Sequence, residues 1–307
     1  MIEPIVVCHE AAPIQTLYDI SQDFGESGLR SLEFAWPVTP TVSAKMEGNP
    51  HRRRSAGASP SRRIAFTAWA AILVVLYGVG FFGLTTLVIG WFETREGVAG
   101  PVTDLGYGAL VGIIQTMGLM VQLRAPERKI GGMQQAVLVI PALLIGSAMA
   151  SDHQGLMPAL IFIPAFALLL ALHPARGEFL RRGASFSPML FAIAVLGGIP
   201  LISYALAMGR QARNLAGPPH HVLRLSTMAA MAIAILVAGL LASLKPRGWR
   251  IPAWCAGMAV VVYGLASVVF PDHPGAEGRG WGSLAIAGGV LFMAVAELEA
   301  KRTRPPS

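Results

Sequence analysis

Apolar residues in this chain fall in long blocks, with neither the strict alternation of half-buried strands nor the single apolar stripe of a surface helix. Blocks at 64–91, 104–122, 130–150, 156–172, 188–208, 224–244, 251–270 and 281–296 come close to or exceed the length needed to cross a bilayer. That length is about 20 residues for a ~30 Å hydrocarbon layer at ~1.5 Å of rise each. Backbone polar groups in lipid must find partners within the segment, and no alternating pattern of a closed barrel is present. The pattern predicts an all-α, polytopic membrane protein with about eight transmembrane helices. The fourth block is short, and Pro158 and Pro164 remove hydrogen bonds from it, which makes it the weakest of the eight.

The blocks also carry an internal echo. VAGP at 98–101 and LAGP at 215–218 stand 117 positions apart, and GLMVQLR at 118–124 and GLLASLK at 239–245 stand 121 apart. SDHQG at 151–155 and PDHPG at 271–275 stand 120 apart. Three ordered anchors at nearly one offset predict an internal repeat of four helices. Four is even, so the copies point the same way and a pseudo-twofold axis lies along the membrane normal. The expected organisation is a tail at 1–62, four-helix repeats at 63–183 and 184–300, and a tail at 301–307.

Composition agrees with a membrane chain: of 307 residues, 54% are hydrophobic and 13% charged. The formal net charge of +7 does not point to nucleic acid, because the basic residues sit in short clusters beside the blocks. With the amino end inside, 17 Lys and Arg flank the blocks on the inner side against five outside: Arg95, Arg210, Arg213, Arg224 and Arg279. The positive-inside rule therefore predicts both termini in the cytoplasm and a place in the cytoplasmic membrane, with lipid as the principal partner. Residues 1–50 hold seven acidic side chains and no helical apolar period, so a poorly ordered cytoplasmic tail is expected. No removable signal peptide is expected, and Met46 offers an alternative start. Cys8 and Cys255 both fall on the inner side, where no structural disulfide or cysteine metal motif is expected.

The candidate chemistry gathers on the outer side. In GPPHHVLR, Pro219 suits a first helical turn, which sets His220 and His221 at the amino end of the sixth span. His220 and Arg224 then lie one turn apart, with Thr227 next. Free N–H groups and the positive dipole end favour an anion there. Arg210, Arg213, His220, His221 and Arg224, with Asp104 and Gln115 on the second span, form the candidate substrate site for a small anionic solute or lipid headgroup. Asp104, Gly108, Gly112 and Gln115 also make a stripe that would let another helix approach closely. His153 and His273, with Asp152 and Asp272, form a candidate metal set to which His220 or His221 would add; zinc, iron, copper or a haem would accept such donors, but the spacing matches no metal motif. The Asp-His-x-Gly segments equally suit plain turn chemistry.

Past the span margins no ionisable side chain enters the apolar blocks, which disfavours proton-coupled transport. Walker A, GxSxG, dinucleotide and EF-hand patterns are missing as well. The leading expectation is an outward-facing site that binds or passes a small solute. A membrane enzyme with a histidine-ligated metal or haem is the alternative, and a non-catalytic scaffold or sensor the third. The pattern names no substrate, cofactor, reaction or oligomeric state.

Overall fold

The computed structural model describes residues 59–94, 98, 100–153, 156–179, 185–215 and 219–302. The two tails, Cys8, Arg95, Gly155, Arg181 and Arg182 lie outside the described residues. Among these residues the chain is entirely helical. The helices are α1 (Pro60–Gly80), a short α2 (Thr86–Ile89), α3 (Pro101–Leu123), α4 (Ile130–Ala150), α5 (Leu156–Leu172), α6 (Pro188–Asn214), α7 (Pro219–Ser243), α8 (Arg250–Val269) and α9 (Gly278–Arg302).

Seven of these helices are long and apolar enough to cross a membrane, and α5, with 17 residues, is shorter than those seven. The helices are consistent with a multi-pass membrane protein. Their starts follow from sequence: Pro60, Pro101, Pro188 and Pro219 each occupy a first turn, where the missing N–H has no partner to lose. Before Pro188, the Ser187 hydroxyl accepts from the Leu190 N–H at 3.1 Å.

The first apolar block departs from the expected single run. It divides into α1 and α2, because Gly78, Gly80 and Gly83 weaken the helix and Phe82 takes a left-handed φ of 59°. The last turn of α1 widens to π geometry at Leu76–Gly80, and beyond the break α2 continues in the same direction along α3, Gly83 meeting Gly112 and Gly90 meeting Leu105.

Helices α3 and α7 form the centre. Each has 72% of its most apolar 18-residue window buried, against 28% or less for α1, α6 and α9. The outward faces of those three carry Val75, Leu196 and Leu284, all more than 60% exposed, which suits contact with acyl chains. In the interior, small residues replace large ones. Gly257 and Gly264 on α8 meet Gly289 and Gly282 on α9, and a Cβ at Gly264 would stand 2.7 Å from the Gly282 carbonyl.

Neighbouring helices pair in a regular way. α1 packs on α3, α3 on α4, α4 on α5 and α1 on α5; likewise α6 packs on α7, α7 on α8, α8 on α9 and α6 on α9. Between these groups α3 meets α7, α4 meets α7, and α8 meets α3.

We term upper the end of the bundle that carries Asp104, Asp152 and His220, and lower the opposite end. The lower end is tied by charge. Lys245 Nζ lies 2.6 Å from Glu299, which also takes the Ser187 hydroxyl, and Arg250 grips Glu297 through both Nε and Nη2. Arg62 reaches across to cap α5, donating to the carbonyls of Ala171, Leu172 and His173.

His173 itself is buried against Phe66, its Nδ1 accepting from the Ala175 N–H at 3.1 Å. Burial pushes its pKa down to about 4; Arg62 adds to the shift and Glu127 opposes it. The unfolded chain then takes up a proton near pH 6.5 that the folded chain refuses until about pH 4. Stability from this group is full above pH 6.5 and is lost as pH falls through that window. Acidification from pH 7 to 4.5 is expected to cost about 2 to 3 kcal/mol through His173, an upper value that assumes a fully solvated unfolded reference. Thermal unfolding of His173→Gln in micelles, compared with wild type across this range, should show a flatter pH slope; equal slopes would refute the assignment.

Candidate functional site

The site starts at the broken first block. Thr86 Oγ1 donates to the carbonyls of Phe82 and Gly83 at 2.9 and 3.2 Å, closing the turn between α1 and α2. Gly83 then lies directly against α3: a Cβ there would stand 2.7 Å from Val111 Cγ1 and 3.1 Å from the Gly112 nitrogen. A Cβ at Gly108 would meet Leu87 and Thr86 at 2.9 Å. The glycine stripe predicted on the second span thus does what close approach requires, and its partner is the break itself. Over Ala109–Thr116, α3 adopts π geometry, and Thr116 Oγ1 donates to the Val111 carbonyl at 2.6 Å.

Beside the break lies a cavity of about 640 Å³ between α1, α2, α3, α4, α5 and the amino-terminal turns of α7. Its upper part is polar, with Glu93, Thr103, Asp104, His220 and Arg224; its lower part is mainly apolar, with Phe81, Phe82, Val111, Leu143 and Phe162 around the Thr85 hydroxyl. Arg224 pairs with Asp104 across the α3–α7 contact, and the same Nη1 lies 3.4 Å from Thr103 Oγ1. The pair is largely but not wholly enclosed, with side-chain exposure of 26% for Arg224 and 13% for Asp104. Hydroxyls farther down α7 are engaged locally. Thr227 Oγ1 donates to the Leu223 carbonyl at 2.7 Å, and Ser226 Oγ to Asp152 Oδ2 at 2.8 Å.

The residues singled out from sequence separate here. Asp104, His220 and Arg224 share the cavity; His221, half-buried, stacks edge-on against His220 at 4.5 Å and is not in the lining. Arg210 is exposed and bonds back to the Leu206 carbonyl of its own helix at 3.3 Å. Arg213 donates to the Met149 carbonyl, where its charge faces the negative end of α4. Gln115 is fully buried below the cavity, and neither polar atom of its amide has a partner among the described residues.

The two Asp-His segments differ in use. Asp152 is buried; its N–H meets the Ser147 carbonyl at 2.8 Å as α4 ends through left-handed Ser151, while its carboxylate anchors α7 through Ser226. His153 beside it is exposed. In the second segment Gly275 has φ of +86°, and its carbonyl accepts from Tyr204 Oη at 2.8 Å and Tyr263 Oη at 3.1 Å. Asp272 is exposed, and His273 packs edge-on to Phe270 at 5.5 Å. Among the described residues no group of three or more His, Cys, Asp or Glu side chains is placed to hold a metal ion.

Sequence reasoning missed the whole α1–α2 wall of the cavity, and Tyr107, Leu143 and Phe162 with it. The available signal was the run of glycines at 78, 80 and 83, too many for an uninterrupted helix. Comparison of the chain with protein-family models, with curated proteins and with solved structures finds no match.

Proposed function

We propose that the chain is a membrane protein of eight crossings whose two four-helix halves enclose an outward-facing site that binds or passes a small solute or lipid headgroup. The observation that carries this reading is the upper cavity with Arg224, Asp104 and His220 converging at its polar part. A volume near 640 Å³ with mainly apolar walls and few polar groups is typical of ligand sites.

Several features support the two halves. Contacts within α1, α3, α4 and α5 recur within α6, α7, α8 and α9, and the α4–α7 crossing has its counterpart in α8–α3. The pair Asp104–Arg224 joins positions 120 apart, the same separation as the two Asp-His segments. On this reading α5 is the fourth crossing: its 17 residues span ~26 Å, short for the bilayer and eased by local thinning. The excess of basic residues beside the lower ends of the helices supports a cytoplasmic position for that end and both termini, in a plasma-membrane protein.

The lining sets two carboxylates, Glu93 and Asp104, against one guanidinium. An anionic group therefore reaches Arg224 in competition with Asp104, with His220 as a second donor. Accessibility of the cavity from outside can be measured whatever the ligand. In a chain with Cys8 and Cys255 replaced by serine, the Thr227→Cys variant is expected to react from outside intact cells with a charged, membrane-impermeant methanethiosulfonate. The Ala230→Cys variant, fully buried one turn lower, serves as the unreactive control. Failure of the Thr227→Cys variant to react would sink the outward-facing site.

A further inference from the structure

We infer that the occupant of this cavity is a single-chain amphiphile, one alkyl tail bearing one anionic head, that enters sideways from the outer leaflet. The inference rests on the binding-site reading above and specifies its ligand.

Polarity along the cavity is sorted by depth. From Asp104 at the upper part to Val111 below is seven residues of α3, about 10 Å. The lower wall is mainly apolar, from Phe81, Val111, Leu143 and Phe162, with the Thr85 hydroxyl, which has no partner among the described residues, set among them. Ser226 and Thr227 lie between the two parts, and their hydroxyls are already engaged with Asp152 and the Leu223 carbonyl. A fully hydrophilic anion would leave this lower part filled with poorly bonded water, whereas an alkyl chain gains its transfer free energy there. At the polar part, Nη1 of Arg224 faces Asp104 and Thr103, and a guanidinium has five N–H donors in a planar fork, enough to hold a head oxygen as well.

The way in lies at the break. Phe82 and Ile89 both border the cavity and are 61% and 56% exposed on the surface that the apolar bundle turns to lipid. The four residues of α2 and the turn Gly90–Phe92 after it border the cavity on this side through Thr86, Ile89 and Gly90, while Val88, Ile89 and Phe92 stand exposed, so an amphiphile already dissolved in the leaflet has its tail at the correct depth.

The test is calorimetric titration of straight-chain alkyl carboxylates into the protein in nanodiscs, with protein-free nanodiscs subtracted. Affinity is expected to rise about fourfold per methylene, then level off once the tail exceeds the ~10 Å apolar part. Simple partition into lipid would show no such plateau. Arg224→Gln should weaken every member of the series at least tenfold, and Leu143→Trp should bring the plateau to shorter chains while leaving acetate unaffected. Acetate binding as tightly as decanoate would overturn the amphiphile and keep an anion site. A rise without plateau, unchanged by Arg224→Gln, would overturn it as partition only. No binding of any member, together with an unreactive Thr227→Cys variant, would remove the site reading as well.

Discussion

Gly112→Val is expected to be the most damaging single change in the upper half of the bundle. A Cβ at 112 would lie 2.9 Å from the Gly83 carbonyl carbon, closer still to its oxygen, and 3.1 Å from Leu87. Backbone cannot rotate away as a side-chain tip can, so α3 and the α1–α2 turn must separate. Overpacking in a dense interior costs roughly 1 to 3 kcal/mol, and displacing two backbones belongs at the top of that range or above it. The π turns of α3 add to the effect, because they leave less slack for relocating the helix. Gly197→Val is the control: nothing lies within 4 Å of a Cβ at that position on α6. Unfolding of both variants in micelles, followed by tryptophan fluorescence, should give a loss for residue 112 and near-wild-type behaviour for residue 197. Equal behaviour would mean that the glycine contact does not hold the break. The cavity follows the same contact, so anion binding should fall in Gly112→Val even where a folded fraction persists.

Asp104→Asn and Arg224→Gln are expected to change stability in the same direction and ligand binding in opposite directions. Each leaves half of a mostly enclosed pair without its counter-charge. Removing one member of a fully buried pair costs about 3 to 5 kcal/mol, whereas exposed pairs are worth about 0 to 1. With exposure between those limits, about 1 to 3 kcal/mol is expected for each, and less than the sum for the double variant. Binding separates the two roles. Asp104→Asn removes the internal competitor for the guanidinium and should raise anion affinity about tenfold or more, in line with ~1.4 kcal/mol or more of competing charge. Arg224→Gln should lower it at least tenfold. The reversed pair, Asp104→Arg with Arg224→Asp, should recover much of the stability, because the two positions face each other across the α3–α7 contact. If Asp104→Asn lowers affinity alongside Arg224→Gln, the aspartate itself holds the ligand, and competition is the wrong description.

Some of the residues singled out from sequence make contacts within the fold. Arg213 holds the end of α4, Asp152 holds α7, and Gly275 is held by two tyrosines. In each case a polar group near a helix end meets a backbone or hydroxyl partner that would otherwise be left unpaired on removal from water. Such roles look identical to a ligand site in a linear sequence, because the same types of side chain satisfy helix ends and bind anions.

Sequence by itself determined the helical, apolar character of the spans, the margins of most helices and the pole at which Asp104, His220 and Arg224 sit. These properties follow from apolar run length, first-turn prolines and charge placement, all local in the chain. Tertiary structure alone decided that Gly83 seats on Gly112, and that Arg224 faces Asp104 while Arg210 and Arg213 turn elsewhere. The physical reason is distance along the chain. Those outcomes depend on which backbones approach one another across more than twenty intervening residues, and lipid, which is as apolar as leucine, leaves that choice to close packing and buried charge.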